Sequence, residues 1–283
     1  LEKTLVCIIG QAREDKYVWD NWKQYLLGPL NADLAVCISD AGIDLSNNLF
    51  IENSTYQWIV NEPTDWIAAF DDESRRHYNN DSWKDLLSVP DNWISPLNGS
   101  RGAGGILIFF RWLLLENLEL SNIFDEYDRV IVTRSDYMFT CPHPPMELLD
   151  KKYVWVPNGE HYGGITDRYA VLSKENYRGY LNIFKRMCCD TQDMLNFWST
   201  VPCHQNLEQA VRYTVLSELG EDSVREFPFI MYSIRTEGTE TRWAPGYWND
   251  ELQCYIKYPT EHALAKQMET IYKTTEDWYN IKF

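Results

Sequence analysis

The polar residues best suited to chemistry sit directly after apolar runs. Gly10-Gln11-Ala12-Arg13 follows Leu5 to Ile9, and Ser39-Asp40 follows Leu34 to Ile38. Arg134-Ser135-Asp136 follows Arg129 to Thr133, and Glu160-His161-Tyr162-Gly163-Gly164, then Asp167-Arg168, follow Tyr153 to Val156. Gly10 suits a tight turn where backbone approaches a ligand closely. Arg13 offers a fork for a phosphate and equally an ordinary surface ion pair. Arg101 is a second candidate phosphate contact; it precedes Gly102-Ala103-Gly104-Gly105, a glycine-rich turn that opens a helix and could present free N–H groups to an anion. That turn has neither the spacing of a phosphate loop nor that of a dinucleotide fold, which argues against ATPase and NAD-enzyme readings. Asp136 ends a buried run, where an unpaired carboxylate is costly. Its uses are a salt bridge with Arg134 or another cation, a helix cap, or ligation of Mg²⁺ or Mn²⁺.

The elements that must position these residues follow from the hydrophobic pattern. Continuous apolar runs at Leu5 to Ile9 and Leu34 to Ile38 predict buried strands, and Trp19 to Leu27 between them has helical spacing. Strand, helix, strand is a βαβ unit and implies a parallel pair. Further strands are expected at Arg129 to Thr133, Tyr153 to Val156, Arg168 to Leu172 and Phe227 to Ile234. Helices are expected at Ile106 to Leu118, Ser173 to Met187, Leu207 to Leu219 and Glu261 to Tyr272. Residues 41 to 101 form a polar, aromatic-rich insertion with helix near Asp65 to Phe70 and Trp83 to Leu87; it is either a binding element or a peripheral cap. The fold class expected is α/β: a mostly parallel central sheet flanked by helices. In such a sheet ligands bind at the carboxyl ends of the strands, so the polar stretches above should converge on one rim.

The composition limits the partners. The chain has 283 residues, 45% hydrophobic and 24% charged, with a formal charge of −16. That charge argues against nucleic acid and against an anionic membrane surface. No apolar run is long enough to predict a membrane span, since Arg111 interrupts the closest, from Gly104 to Leu115. The seven cysteines include no C-x-x-C pair, so zinc is not expected, and they read as reduced, structural residues of a cytoplasmic protein. If the ligand is an anion, positive charge must be concentrated locally.

The motifs resemble those of GT-A-like glycosyltransferases, in particular a group found in algae and in chloroviruses. The matching pieces are Thr4 to Arg13, Arg101 to Gly105 with Phe109 to Trp112, Thr133-Arg134-Ser135-Asp136 within Arg129 to Phe139, and Glu160 to Arg168. The resemblance implies one GT-A-like domain over residues 1–283, with a nucleotide-sugar and metal half at 1–172 and an acceptor-side half at 173–283. It implies transfer of a sugar, xylose or a hexose, from a nucleotide-sugar donor, foremost a UDP-sugar, to a glycan hydroxyl. In a viral member that acceptor would be a capsid-protein glycan, and the enzyme would lie in the host cytoplasm.

Gly10, Gln11, Arg13, Asp40, Arg101, Arg134, Ser135 and Asp136 would then contact the donor, and Asp136 would hold Mn²⁺ or Mg²⁺. The first acid of a strict D-x-D signature is Arg134 here, so one carboxylate with diphosphate oxygens and waters would have to hold the ion. Inverting transfer needs a carboxylate base; Glu208 and Asp167 are the candidates, although an acid in the first turn of a helix is also favoured by the helix dipole. Trp58, Trp66, Trp83 and Trp93 in the insertion, with Trp243, Tyr247 and Trp248 later, could pack on sugar faces or belong to the core. The alternative class is a carbohydrate-binding or catalytically inactive transferase-like module, and a nucleotidyltransferase on a similar sheet is a third.

Overall fold

The computed structural model describes residues 2–41, 44–91, 93–202, 205–236 and 246–280. Eleven strands occur among them: β1 (Thr4–Gly10), β2 (Asp33–Ser39), β3 (Tyr56–Val60), β4 (Arg129–Thr133), β5 (Tyr137–Phe139), β6 (Val154–Pro157), β7 (Ala170–Ser173), β8 (Val224–Phe227), β9 (Met231–Arg235), β10 (Tyr247–Asn249) and β11 (Cys254–Ile256). A seven-stranded sheet has the order β3-β2-β1-β4-β7-β6-β8, and a four-stranded sheet the order β10-β11-β9-β5. In the large sheet β3, β2, β1 and β4 pair in parallel, β6 pairs in parallel with β8, and β7 alone is reversed between β4 and β6. The fold class read from the sequence, α/β on a mostly parallel central sheet flanked by helices, is the observed one.

The sheet's two faces explain why its strands are apolar throughout. Along β1, Leu5, Cys7 and Ile9 join the core that includes Ile108, Phe109 and Phe110 of the helix Gly104–Leu120. Val6 and Ile8 join the opposite core, with Val18 and Trp22 of the helix Asp15–Trp22. With both faces covered, alternation in the sequence is lost and only a continuous run remains. The six described cysteines are free, and all but Cys189 are buried. No helix among the described residues is long and apolar enough to cross a membrane.

The structure corrects the sequence reading in several places. The stretch 41–101 is not only an insertion, because it supplies β3, the edge strand that pairs in parallel with β2. Its helix spans Trp66–Tyr78, and a 3₁₀ segment spans Ser82–Ser88. The helix expected at Trp19 to Leu27 begins earlier, at Asp15, and continues through a π-helical segment Lys23–Leu27. The run Phe227 to Ile234 is two strands: Pro228 lacks the N–H a ladder needs, so β8 ends before it in the large sheet and β9 starts after it in the small one. The helix expected at Ser173 to Met187 is broken into Tyr177–Leu181 and Ile183–Cys189. The last long helix is Pro259–Glu269. Trp83 and Trp93 are fully buried in the core and unavailable to a sugar, while Trp58 and Trp66 pack against the same core half-buried. Trp243 lies outside the described residues, and Tyr247 and Trp248 are on β10.

Candidate active site

A cavity of about 790 Å³ opens at the carboxyl ends of the parallel strands. β1 delivers Gly10 and Gln11 to it, and β2 delivers Ser39. Arg13 reaches it from the loop after β1, and Arg134, Ser135 and Asp136 from the link between β4 and β5. Because β7 is reversed, the segment before it lies at the same edge, and this brings Asp167 and Arg168 into the cavity. Glu208 enters from the start of the helix Leu207–Leu219. Of the residues expected at a site, Asp40 and Arg101 do not line the cavity. Asp40 instead accepts a hydrogen bond from the Glu62 N–H (3.1 Å) and so presents Glu62, whose carboxylate accepts from Ser39 Oγ (2.8 Å). Residues on both sides of position 172 line the one cavity.

The turn after β1 is held by side chains. Gly10 has φ +91°, a left-handed value that glycine adopts without strain. Ser135 Oγ donates to the Gln11 carbonyl (2.7 Å) and accepts from the Arg13 N–H (2.8 Å), which fixes the two loops to each other. Gly102 and Gly104 also line the cavity, so the helix Gly104–Leu120 starts at its wall. The Gly105 N–H is not free there, since it donates to the Ser95 carbonyl (2.7 Å).

Asp136 sits in a cluster of cations. Arg134 donates to both of its oxygens, Nε to Oδ1 at 3.1 Å and Nη2 to Oδ2 at 2.9 Å, and Arg235 Nη1 donates to Oδ2. Burial alone would raise this carboxyl, but Arg134, Arg235 and Lys257 outweigh it and hold Asp136 well below the ordinary range. The small sheet makes this arrangement. β5 pairs with β9 and β9 with β11, which sets Arg235 and the residue after β11, Lys257, against the β4–β5 link. Lys257 is buried, with its Nζ 4.8 Å from the centre of the Tyr258 ring. Burial first, then the nearby arginines against Asp136, pushes it down to about 6. Arg13 is also shifted down, by burial and then by Arg235.

These residues do not fit the divalent ion expected at Asp136. Such an ion needs several hard oxygen ligands. Both Asp136 oxygens already accept from guanidinium groups, and although the Glu14 carboxyl is near, among the described residues no three His, Cys, Asp or Glu gather to hold a metal.

A second, different cluster lies at Glu208. Burial first and then the charge of Asp167 raise its carboxyl to about 8. Two devices fix its position. Asn206 and Gln209 form a capping box, the Asn206 side chain accepting from the Gln209 N–H (2.9 Å) and Gln209 Oε1 from the Asn206 N–H (3.3 Å). Gly164 packs so close that a Cβ there would collide with the Glu208 backbone, and the Ile165 N–H donates to the Glu208 carbonyl (2.9 Å). Asp167 is set by Arg111, which is fully buried and donates to the Asp167 carbonyl. Arg168 pairs with buried Glu261 and stacks against the Tyr258 and Tyr162 rings, its guanidinium carbon 4.4 and 5.4 Å from their centres. Tyr162 and Tyr258 are aromatic residues at the cavity wall, and none of the described tryptophans lines it.

Sequence reasoning missed Glu62, Arg235, Lys257 and Tyr258. It met Arg111 only as an interruption of an apolar run. A lone arginine inside such a run was the available signal, because a buried charge must have a partner.

No family model matches the sequence, and no curated protein matches it. Among solved structures the chain is similar to mouse xyloside xylosyltransferase 1 in its apo form, at 9% identity and a TM-score of 0.40, over 81% of this chain and 86% of that one.

Proposed function

We propose that this chain is a glycosyltransferase of GT-A-like architecture that moves a sugar, xylose or a hexose, from a nucleoside-diphosphate donor, foremost a UDP-sugar, to a glycan hydroxyl. One observation carries the reading. In a chain with 42 acidic and 26 basic side chains, a single cavity gathers Arg13, Arg134, Arg235 and Lys257 with the raised Glu208 carboxyl and Asp167. An anionic leaving group needs the first and a hydroxyl nucleophile needs the second.

In the proposed reaction the acceptor oxygen attacks the anomeric carbon, the bond from that carbon to the diphosphate oxygen breaks, and its electron pair leaves with the diphosphate. The hydroxyl proton passes to Glu208. A carboxyl near 8 is a stronger base than an ordinary glutamate once ionised, and its ionised fraction grows as pH rises toward that value. Asp167 raises the basicity of Glu208 by its charge, and Arg111 holds Asp167 in place. Gly10 and Gln11 line the cavity and would meet the nucleotide, and the cations would stabilise the developing charge of the diphosphate. Attack opposite the leaving group inverts the anomeric centre.

The test is incubation with a panel of nucleotide sugars and glycan acceptors, followed by nuclear magnetic resonance of the product. One donor should be consumed with inversion, and Glu208→Gln should stop it. A carbohydrate-binding module would respond to glycans and ignore every nucleotide, and that outcome would end the transferase reading.

A further inference from the structure

We infer that the cavity binds the donor's diphosphate through Arg134 and Arg235, gathered on Asp136, and through Lys257 nearby, with no divalent ion. The inference rests on the transferase reading and deepens it.

Three facts converge on it. The position where a D-x-D signature has its first acid is occupied by Arg134, which spends two hydrogen bonds on Asp136 (3.1 and 2.9 Å). Arg235, brought by the small sheet, takes the same carboxylate from another direction. A metal at Asp136 would have to displace both guanidinium groups and sit among cations. The third fact is Lys257, whose side chain lines the cavity with its ammonium 4.8 Å from the centre of the Tyr258 ring. An ammonium has three N–H donors, so Lys257 can donate to an anionic ligand in the cavity. Two guanidinium groups share the one carboxylate of Asp136, and Lys257, pushed down to about 6 by burial and the nearby arginines, takes up its proton beside a doubly anionic diphosphate ester. Arg168 is not part of this set, because Glu261 and Asp167 already balance it.

Asp136 therefore has a different part from a metal ligand. It aligns the guanidinium groups and keeps them from repelling each other before the donor arrives; it is a positioning residue. Lys257 and Arg235 would touch the diphosphate. The cations do at the leaving group what a metal does elsewhere, since fixed positive charge at a developing anion lowers the barrier whatever its source.

The experiment is titration calorimetry of the whole chain with four nucleoside diphosphates (UDP, GDP, ADP and TDP), once in excess EDTA and once with Mn²⁺, together with donor consumption under both conditions. The expected result is that one diphosphate binds with the same affinity in EDTA as in Mn²⁺, and that turnover survives EDTA. Lys257→Met should then weaken that diphosphate about tenfold to a hundredfold, the loss of one charge-assisted contact, while the affinity for the matching nucleoside stays unchanged. A merely structural role for Lys257 would move both. Binding or turnover only when Mn²⁺ or Mg²⁺ is supplied would overturn the inference and leave the transferase reading standing. No binding of any diphosphate under either condition would overturn the transferase reading itself.

Discussion

Asp136 and Glu208 line the same cavity and are both buried, yet their carboxyls are driven in opposite directions. Burial raises both. At Asp136, the charges of Arg134, Arg235 and Lys257 reverse that effect, and the group stays ionised. At Glu208, Asp167 adds a like charge, the cations Arg168 and Arg111 offset it only in part, and the group rises to about 8. Environments that push two acids apart separate their jobs. An acid locked as an anion cannot accept a proton at working pH, but it can hold cations in place. An acid with a raised value can move a proton. In the proposed reaction the contrast matches organisation of charge to Asp136 and proton transfer to Glu208.

The largest effect expected is on turnover. Glu208→Gln keeps the shape of the side chain and removes the base, so kcat should fall by about two to four orders of magnitude while the affinity for the nucleotide changes little. Steady-state kinetics beside calorimetry separates the two, and normal kcat would break the contrast at its Glu208 end. The next effect is on stability. Asp136→Ala leaves the buried Arg235 and the partly buried Arg134 guanidinium groups without their anion, and should cost about 3–5 kcal/mol in denaturant unfolding. A pure metal ligand on the cavity wall would leave the fold intact, so an unchanged midpoint would break the contrast at its other end.

Smaller effects sharpen it. Gly164→Ala forces a Cβ against the Glu208 backbone and should cost about 1–3 kcal/mol as an overpacked contact, with kcat lowered and KM for donor little changed. The smallest effect is a displaced pH profile. In the native chain, turnover should rise through an apparent value of about 8 as the Glu208 carboxyl ionises. Asp167→Asn removes the like charge and should move that limb toward acid. The sign for stability is opposite to that of activity: the folded state holds the Glu208 proton more tightly than the unfolded chain, so this group's contribution falls as pH rises from the ordinary glutamate value to about 8. Urea unfolding of native and Glu208→Gln chains across that window reads this directly, since the variant should lack the fall.

What was legible in the sequence followed its local strength. β4 (Arg129–Thr133) and the helix Leu207–Leu219 have their expected limits, because each is a short, strongly patterned segment with a clear stop. The residues after β1 and β4 were found for the same reason, as polar endings of apolar runs. β3 was not found: Tyr56–Val60 is an edge strand with half-buried positions, and its pattern is diluted by the polar stretch around it. Arg235 and Lys257 were out of reach for a deeper reason. Arg235 directly follows the expected run Phe227 to Ile234, but neither it nor Lys257 is tied to Asp136 by anything local; they arrive beside it only because β5 pairs with β9 and β9 with β11, across wide separations in the chain. The expected metal was drawn from the single acid at 136 without the cations that surround it. The tryptophans of residues 41–101 misled for the opposite reason: their composition suggested a sugar platform, and tertiary packing puts Trp83 and Trp93 in the core.

The most direct measurement of the central claim is donor consumption by the native chain and by Glu208→Gln with the same panel of nucleotide sugars. The account predicts that the native chain consumes one donor, that the nucleoside diphosphate appears as product, and that the variant binds this product equally well yet does not form it. Consumption of no donor, with thermal stabilisation by glycans alone, would contradict it.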